Sequence, residues 1–203
     1  MSLKRFYKVL GILLLIVIIC VISMVSNYNK TIEDINLVND YIEDTTITSI
    51  LSNNINNKTT KEIKPKENNY LMILEIPKIN IKKGIYEKND KNNNVDKNIT
   101  ILNQSDMPDK EKGNVILASH NGNSKTSFFK RLEDLNLNDL ANIYYQGIKY
   151  IYQVYKIDIV DKIGTIKVNK NSNYDNLILI SCKNGTKDKQ IIYMLKCIAK
   201  EAY

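Results

Sequence analysis

The sequence predicts a mainly β domain, a closed barrel of eight strands with one or two short helices, preceded by an N-terminal transmembrane helix. Short apolar runs separated by polar turn formers recur throughout residues 69–203, and each run has the length of a strand. An uncharged apolar run lies near the N-terminus. Many short strands at close spacing favour a closed or nearly closed barrel over a parallel α/β sheet. Residues 69–203 suffice for one domain with a single core.

Two residue types mark where predicted strands end. Pro77 stops the first strand because proline has no backbone N–H to donate, and Gly147 supplies the positive φ of a hairpin turn. Residues 99–102 fit a strand or a short helix equally well. The other runs that could supply the strands of the barrel, about eight in all, lie at residues 71–76, 79–85, 114–119, 141–145, 149–155, 157–160, 166–168, 177–182 and 190–199.

One short helix is expected over residues 128–135. Phe128, Leu132 and Leu135 recur at helical spacing, which would place them on one apolar face. Ser127 or Thr126 is suited to cap this helix, because a hydroxyl can accept a hydrogen bond from an amide of the first turn.

The N-terminal segment predicts a single membrane anchor. Lys4, Arg5 and Lys8 precede an uncharged run of seventeen residues, 9–25, which is near the minimum for crossing a bilayer. A cleaved signal peptide is the alternative, but the run exceeds a usual signal core and no small-residue cleavage pair follows it. The basic flank places residues 1–8 in the cytoplasm and the rest of the chain outside the cell.

Residues 26–68 predict an extracellular stalk. Polar and charged residues dominate this stretch, so it has little to bury in a core. Apolar residues between Ile32 and Ile42 recur roughly at helical spacing and would form a short amphipathic helix. Residues 52–60 have the composition of a flexible tether. The stalk would give the domain at residues 69–203 its reach from the membrane.

Charge and composition exclude some classes of function. The formal net charge is +7, but the lysines are scattered among acids and asparagines, so no nucleic-acid partner is expected. The sequence offers no His, Cys and carboxylate cluster with metal-ligand spacing, so neither a metal nor another cofactor is expected. The three cysteines provide no disulfide framework, because Cys20 lies in the predicted anchor. Cys182 and Cys197 could still pair with each other.

The residues that could carry chemistry stand at two strand ends. His120, the single histidine, closes the apolar run 114–120, and Cys182 closes the run 176–182 about sixty residues later. If folding brings the two ends together, a thiolate nucleophile gains an imidazole that can move protons. The alternative is a half-buried histidine and a core cysteine that never meet.

Four segments of the chain resemble the sortases of Gram-positive bacteria, and the likeness covers roughly residues 70–200. The short helix expected after His120 and the lack of a long insert before Cys182 are closer to the class A and class D forms than to class B. The segments are Leu74-Glu-Ile-Pro-Lys-Ile-Asn-Ile81, Asn114-Val-Ile-Leu-Ala-Ser-His120, Phe128-Phe-x-x-Leu132-x-x-Leu135 and Leu177-Ile-Leu-Ile-Ser-Cys182. The resemblance implies the eight-stranded sortase barrel and a membrane-anchored cysteine transpeptidase.

The resemblance also implies a reaction and its partners. Cys182 would attack the threonine carbonyl of a Leu-Pro-x-Thr-Gly-like sorting signal at the C-terminus of a surface protein, forming a thioacyl intermediate. His120 would protonate the leaving amine and then deprotonate the incoming one. The acceptor would be an amine of a peptidoglycan precursor or of a pilin. Ser181 and Asn121, beside the two catalytic residues, would contact the substrate.

One departure from the sortase pattern concerns an arginine at the start of the last strand, which in the family holds the substrate and stabilises the oxyanion. The chain has only Arg5 and Arg131, and neither follows Cys182. Lys189 or Gln190 takes the place of this arginine, depending on the register of the strand. We favour Gln190, which donates hydrogen bonds without charge, whereas Lys189 brings a charge without a planar fork.

Three functions therefore remain open. The first is an active transpeptidase, which the retained Cys182 and His120 favour. The second is a degenerate sortase-like protein that binds a sorting signal without turnover, which the missing arginine favours. The third is a cysteine hydrolase of the same fold, which passes the acyl group to water. Transfer and hydrolysis differ in how well an amine is positioned, and the sequence does not separate them.

Overall fold

The computed structural model describes residues 3–53, 70–164 and 173–203, and these residues form one long helix and a sheet of eight strands. The helix, α1, spans Leu3–Asn53. Two 3-10 helices of three residues lie at Pro77–Ile79 and Leu132–Asp134. The strands are β1 Met72–Ile76, β2 Ile81–Ile85, β3 Thr100–Ile101, β4 Asn114–Ala118, β5 Leu140–Tyr145, β6 Ile148–Asp161, β7 Asn176–Cys182 and β8 Lys189–Ala202.

All eight strands belong to one sheet in the order β2-β1-β5-β6-β8-β7-β4-β3. Neighbouring strands are antiparallel except β4 and β7, which run parallel. Within the described ranges no ladder joins β2 to β3, so the barrel is nearly closed, which corrects the closed form and agrees with the nearly closed form that the sequence also allowed. The reason lies in β3, which has only two paired residues, Thr100 and Ile101, and is too short to continue the ladder.

Strand β7 is buried on both faces, which explains its unbroken apolar sequence. Leu177 and Leu179 point into the main core of the barrel. Ile178 and Ile180 point to the opposite face of the sheet, where they join a smaller apolar cluster that β8 helps to form. Because side chains alternate along a strand, Cys182 at the end of β7 lies on the same face as this smaller cluster.

Strand β6 is one strand of fourteen residues where the sequence predicted two. Its pairing with β8 changes register at two places between Ile151 and Lys156, and irregularities of this kind bend a strand without ending it. The undecided residues 99–102 contain β3. The strand predicted at residues 166–168 lies outside the described residues.

The short helix predicted over residues 128–135 is present only as the 3-10 helix Leu132–Asp134. The segment turns at every third residue, because the N–H of Leu132 donates to the carbonyl of Phe129 and the N–H of Leu135 donates to that of Leu132. These three side chains are buried. A repeat of three is the 3-10 period, so Phe129 enters the core in place of Phe128. This 3-10 helix starts without a side-chain cap, so the expected hydroxyl cap is wrong.

Helix α1 is divided between two compact units, residues 1–37 and residues 38–203. It extends well beyond the short helix predicted between residues 32 and 42, and most of the tether predicted at residues 52–60 lies outside the described residues. Among the residues that the structure describes, no helix combines the length and the apolar character needed to cross a membrane. The anchor at residues 9–25 therefore stays a prediction from the sequence.

The second unit contains the last part of α1 as well as the barrel. Val38 on this part of the helix is buried. The Tyr41 hydroxyl donates to the carbonyl of Leu71 at 3.1 Å, and Lys82 Nζ donates to Asn39 Oδ1 at 3.2 Å. These contacts attach the part of the helix from Val38 onwards to the β1–β2 side of the sheet.

Candidate active site

The parallel pairing of β4 with β7 brings the two predicted strand ends to one edge of the sheet. Ala118 is the partner of Ile180 in this ladder, and the N–H of Ser119 donates to the carbonyl of Ile180 at 3.3 Å just beyond the last paired residue. Continuing the same register by two residues places His120 level with Cys182. The structure thus supports the sequence expectation that these two residues end neighbouring strands.

The two serines that precede His120 and Cys182 lie on the inner face and tie the strand ends together. Ser181 Oγ donates to the carbonyl of Ser119 at 2.8 Å, and Ser181 is only 3% exposed. Its hydroxyl is therefore used inside the protein, and it does not lie on the surface that carries Cys182. Alternation leaves the histidine and the cysteine on the outer face, where the His120 side chain is 42% exposed and Cys182 is half-buried.

The register of β8 separates the two residues that were candidates for the arginine position. Gln190 is the direct partner of Cys182 in the antiparallel ladder, and directly opposite residues lie on the same face of a sheet. Lys189 is the partner of Asp161 in β6, and its Nζ lies 3.4 Å from Asp161 Oδ1. Gln190 therefore shares a face with Cys182, and Lys189 points to the other face.

A cation that the sequence reasoning missed lies next to the thiol. Lys162 Nζ is 3.8 Å from Cys182 Sγ, and the backbone N–H of Lys162 donates to the carbonyl of Asp188 at 2.6 Å. Lys162 follows β6 directly, twenty residues before the cysteine. No spacing rule links a residue at that distance to the strand end, so only the β6–β8 pairing reveals it.

Glu133 connects the chain beyond His120 with the chain beyond Cys182. Its Oε1 accepts the N–H of Asn184 at 2.6 Å and lies 3.5 Å from Asn121 Nδ2. Its Oε2 accepts a hydrogen bond from the ammonium of Lys183. Asn121 Nδ2 also donates to the carbonyl of Cys182 at 3.0 Å. Asn121, predicted to contact substrate, is thus placed as part of the network that holds the two strand ends.

Asp96 contacts the imidazole from the loop between β2 and β3. His120 Nε2 lies 3.0 Å from Asp96 Oδ1, and the aspartate side chain is 77% exposed. A carboxylate at one ring nitrogen fixes the orientation of the ring and determines which nitrogen is left for proton transfer. The sequence did not single out Asp96, because it stands in a stretch rich in Asn, Lys and Asp that is typical of a surface loop.

The Cys182–Cys197 disulfide that the sequence left open is not formed. Cys20, Cys182 and Cys197 are all free thiols. Cys197 lies in β8 opposite Tyr152, and its Sγ donates to the carbonyl of Ala199 at 3.4 Å. Burial raises the pKa of the Cys197 thiol. Cys182 is therefore available as a single thiol at the strand end.

Comparison with known proteins identifies the same region of the chain. A family model described as the Sortase domain matches residues 74–196. Sortase D of Bacillus subtilis is 30% identical over 125 residues, which cover 62% of this chain and 60% of that protein. The chain thus spans about 60% of the length of this curated relative.

Solved sortase structures share the fold. Sortase C-1 from Actinomyces oris has a TM-score of 0.58 at 18% identity, covering 79% of this chain and 99% of that one. Sortase A of Listeria monocytogenes has a TM-score of 0.55 at 17% identity, covering 66% and 90%. The Clostridium perfringens sortase D5 transpeptidase has a TM-score of 0.54 at 21% identity, covering 64% and 79%. At these identities the likeness is evidence for the fold alone.

Proposed function

This chain belongs to the sortase family, because the family match covers residues 74–196, and from that premise we propose that it is an active cysteine transpeptidase. The observation that carries the proposal is the register of β4 and β7, which supports a common site for His120 and Cys182 at one sheet edge. The half-buried thiol and the partly exposed imidazole both lie on the outer face, where an extended peptide has access.

The first half of the proposed reaction forms a thioester. The Cys182 thiolate attacks the carbonyl carbon of the threonine in a Leu-Pro-x-Thr-Gly-like signal, and the S–C bond forms as the oxygen takes up negative charge. When the C–N bond to the next residue breaks, His120 gives its proton to the leaving amine. The products are an acyl-enzyme and a free downstream peptide.

The second half transfers the acyl group to an amine. An acceptor amine attacks the thioester carbon, a new C–N bond forms, and the C–S bond breaks to return the thiolate. The imidazole of His120 accepts the proton that the amine loses. The donors would be surface proteins with C-terminal sorting signals, and the acceptor would be an amine of a peptidoglycan precursor or of a pilin.

Gln190 is the proposed side-chain donor to the oxyanion. It faces the same side of the sheet as Cys182, directly across the ladder. An amide N–H placed at the oxyanion stabilises the developing charge without having to reorganise. In this proposal Ser181 and Asn121 support the two strand ends, and Gln190 takes the position that sequence reasoning left open between two residues.

The test uses the full-length chain in detergent with labelled peptides of the form Leu-Pro-x-Thr-Gly, with and without amine acceptors. We expect cleavage after threonine, an acyl adduct on Cys182, and a peptide–amine product when an acceptor is present. Cleavage that yields only the free acid, whatever the acceptor, would identify a hydrolase. Saturable binding without cleavage would identify a degenerate binding protein.

We also propose that the chain is anchored in the cell membrane by a single pass, with residues 1–8 inside and the catalytic domain outside. The support is the basic flank before the uncharged run at residues 9–25 and the exposure of the apolar side chains described between Leu10 and Val25. Protease treatment of intact cells should remove the barrel and leave an N-terminal fragment in the membrane. Recovery of a soluble mature protein that lacks residues 1–25 would contradict the anchor.

A further inference from the structure

We propose that Lys162 is a catalytic residue whose ammonium stabilises the Cys182 thiolate, an inference that rests on the proposed cysteine chemistry. The ammonium is already in contact with the nucleophilic sulfur, since Lys162 Nζ lies 3.8 Å from Cys182 Sγ. The sequence has no arginine after Cys182 to supply a positive charge from the last strand. Lys162 supplies that charge from the end of β6.

The backbone fixes where the Lys162 side chain starts. In the β6–β8 ladder Val160 is the partner of Gln190, and Asp161 is the partner of Lys189. The next residue continues this pairing, because the N–H of Lys162 donates to the carbonyl of Asp188 at 2.6 Å. The position of the lysine is therefore set by the sheet.

Side-chain alternation independently places Lys162 on the catalytic face. Successive residues of a strand point to opposite faces, so Lys162 shares a face with Val160, and Val160 shares a face with its partner Gln190. Gln190 is in turn the partner of Cys182. Strand register and the Nζ–Sγ contact thus give the same answer by separate routes.

Neighbouring charges have partners elsewhere. Asp161 is paired with Lys189 on the opposite face. Glu133 is bound to Lys183 and to the backbone N–H of Asn184. The contact that the structure gives to the Lys162 ammonium is with the sulfur.

A lysine suits this task because a thiolate is a single anionic atom. An ammonium is a compact point charge on a flexible stem, whereas a guanidinium is a planar fork suited to two oxygens. We therefore infer that Lys162 stabilises the thiolate and that Gln190 stabilises the oxyanion.

The attraction between the ammonium and the sulfur changes during the reaction. When the thiol loses its proton to a base, the ammonium attracts the sulfur anion. When the S–C bond forms that attraction is lost, and it returns when the thioester breaks and the thiolate leaves.

The test measures the alkylation rate of Cys182 in the full-length chain by peptide mass spectrometry, using neutral iodoacetamide and anionic iodoacetate. Because the contact is exposed, we expect Lys162→Met to slow iodoacetamide about threefold and iodoacetate about tenfold. Lys162→Arg should retain most of both rates. High salt should lower the iodoacetate-to-iodoacetamide ratio of the wild type towards that of Lys162→Met.

Lys187→Met is the matched control, because it removes the same charge from an exposed position in the loop between β7 and β8. It should leave both rates close to the wild type. Cys197, which lies within β8, reports on folding in every variant, since its labelling should stay slow when the barrel is intact.

Equal rates for Lys162→Met and the wild type with both reagents would overturn the proposal. If Lys162→Met fails to fold, a wild-type reagent ratio that salt does not change would overturn it as well. Neither outcome would affect the proposed transpeptidase, which fails instead if Cys182→Ala still cleaves the signal peptides.

Discussion

Cys182 and Cys197 lie on paired neighbouring strands, yet their surroundings differ in kind. Cys182 ends β7 at the sheet edge, with a lysine ammonium at its sulfur and Gln190 directly across the ladder. Cys197 lies in β8 with its Sγ donating to a backbone carbonyl. Burial raises the pKa of Cys197, with Lys200 opposing this effect. Burial favours the protonated form of a thiol, whereas a nearby cation favours the thiolate.

The two residues are of the same type, so the difference in their surroundings comes from their positions. Position at a strand end is what makes a thiol accessible and surrounds it with polar groups. A strand end opens the sulfur to an incoming peptide and lets loops from several strands contribute polar groups around it. Inside a ladder the same side chain meets backbone and core, and it behaves as a small apolar residue.

The largest expected effect separates the two cysteines directly. Cys182→Ala should abolish the acyl adduct and lower peptide cleavage on the order of 10⁴-fold or more, because the nucleophile is removed. Cys197→Ala should keep both, measured by mass spectrometry of the adduct and by the cleavage rate. Adduct formation on Cys197 in either variant would contradict the assignment of the nucleophile.

The next largest effect tests which face of β8 carries the side chain that donates to the oxyanion. Gln190→Ala should lower kcat/KM roughly a hundredfold, about 3 kcal/mol, because it removes a donor to the oxyanion. Lys189→Ala, on the opposite face and beside Asp161, should change the rate little. Gln190→Arg should preserve or raise activity if the pocket accepts the larger side chain. If both alanine variants react like the wild type, the oxyanion donor lies elsewhere.

The strand ends that carry His120 and Cys182 could be predicted from the sequence for a physical reason. A strand buried on both faces must be apolar throughout, so the first polar residue after the run marks its end. The segment after residue 127 could not be predicted so well. Phe128 and Phe129 are adjacent, and periods of three and of nearly four select different members of that pair. Only packing decides that Phe129 is buried.

The charged neighbours of the site could not be predicted. Lys162 and Asp96 reach Cys182 and His120 from segments whose local sequence is ordinary for a polar surface. Their proximity depends on strand order and register, in particular on β6 pairing with β8. The resemblance to the sortases suggested a nucleophile and a base, but it gave no position for a cation once the usual arginine was absent.

A smaller effect is expected from the network that holds the two strand ends. Glu133→Gln keeps the shape of the side chain but removes the charge that binds Lys183 and the N–H of Asn184. We expect a loss of about 1–2 kcal/mol in the free energy of unfolding, because the carboxylate is only 19% exposed and accepts several hydrogen bonds. Turnover should fall about tenfold as the strand ends loosen, with a smaller change in KM.

Asp134→Asn is the control for this prediction. It removes the same charge one residue away, from an exposed pair with Arg131, and exposed pairs contribute little to stability. Thermal denaturation and steady-state kinetics of both variants give the comparison. Equal melting temperatures and equal kcat values for the two variants would show that Glu133 does not position the site.

The smallest expected effect concerns Asp96 and the imidazole. Asp96→Asn keeps an oxygen acceptor 3.0 Å from His120 Nε2 but removes its charge. With Nε2 engaged by Asp96, proton transfer would use Nδ1. Because the aspartate is largely exposed, solvent screens the pair, and we expect kcat/KM to fall only about two- to fivefold at low salt. High salt should erase most of the difference in kcat/KM between Asp96→Asn and the wild type.

Asp90→Asn is the control for this prediction. It makes the same change in the same loop and keeps the acceptor for the N–H of Asn92, so it should react like the wild type. A hundredfold loss in Asp96→Asn would instead place its carboxylate among the groups that act directly in proton transfer.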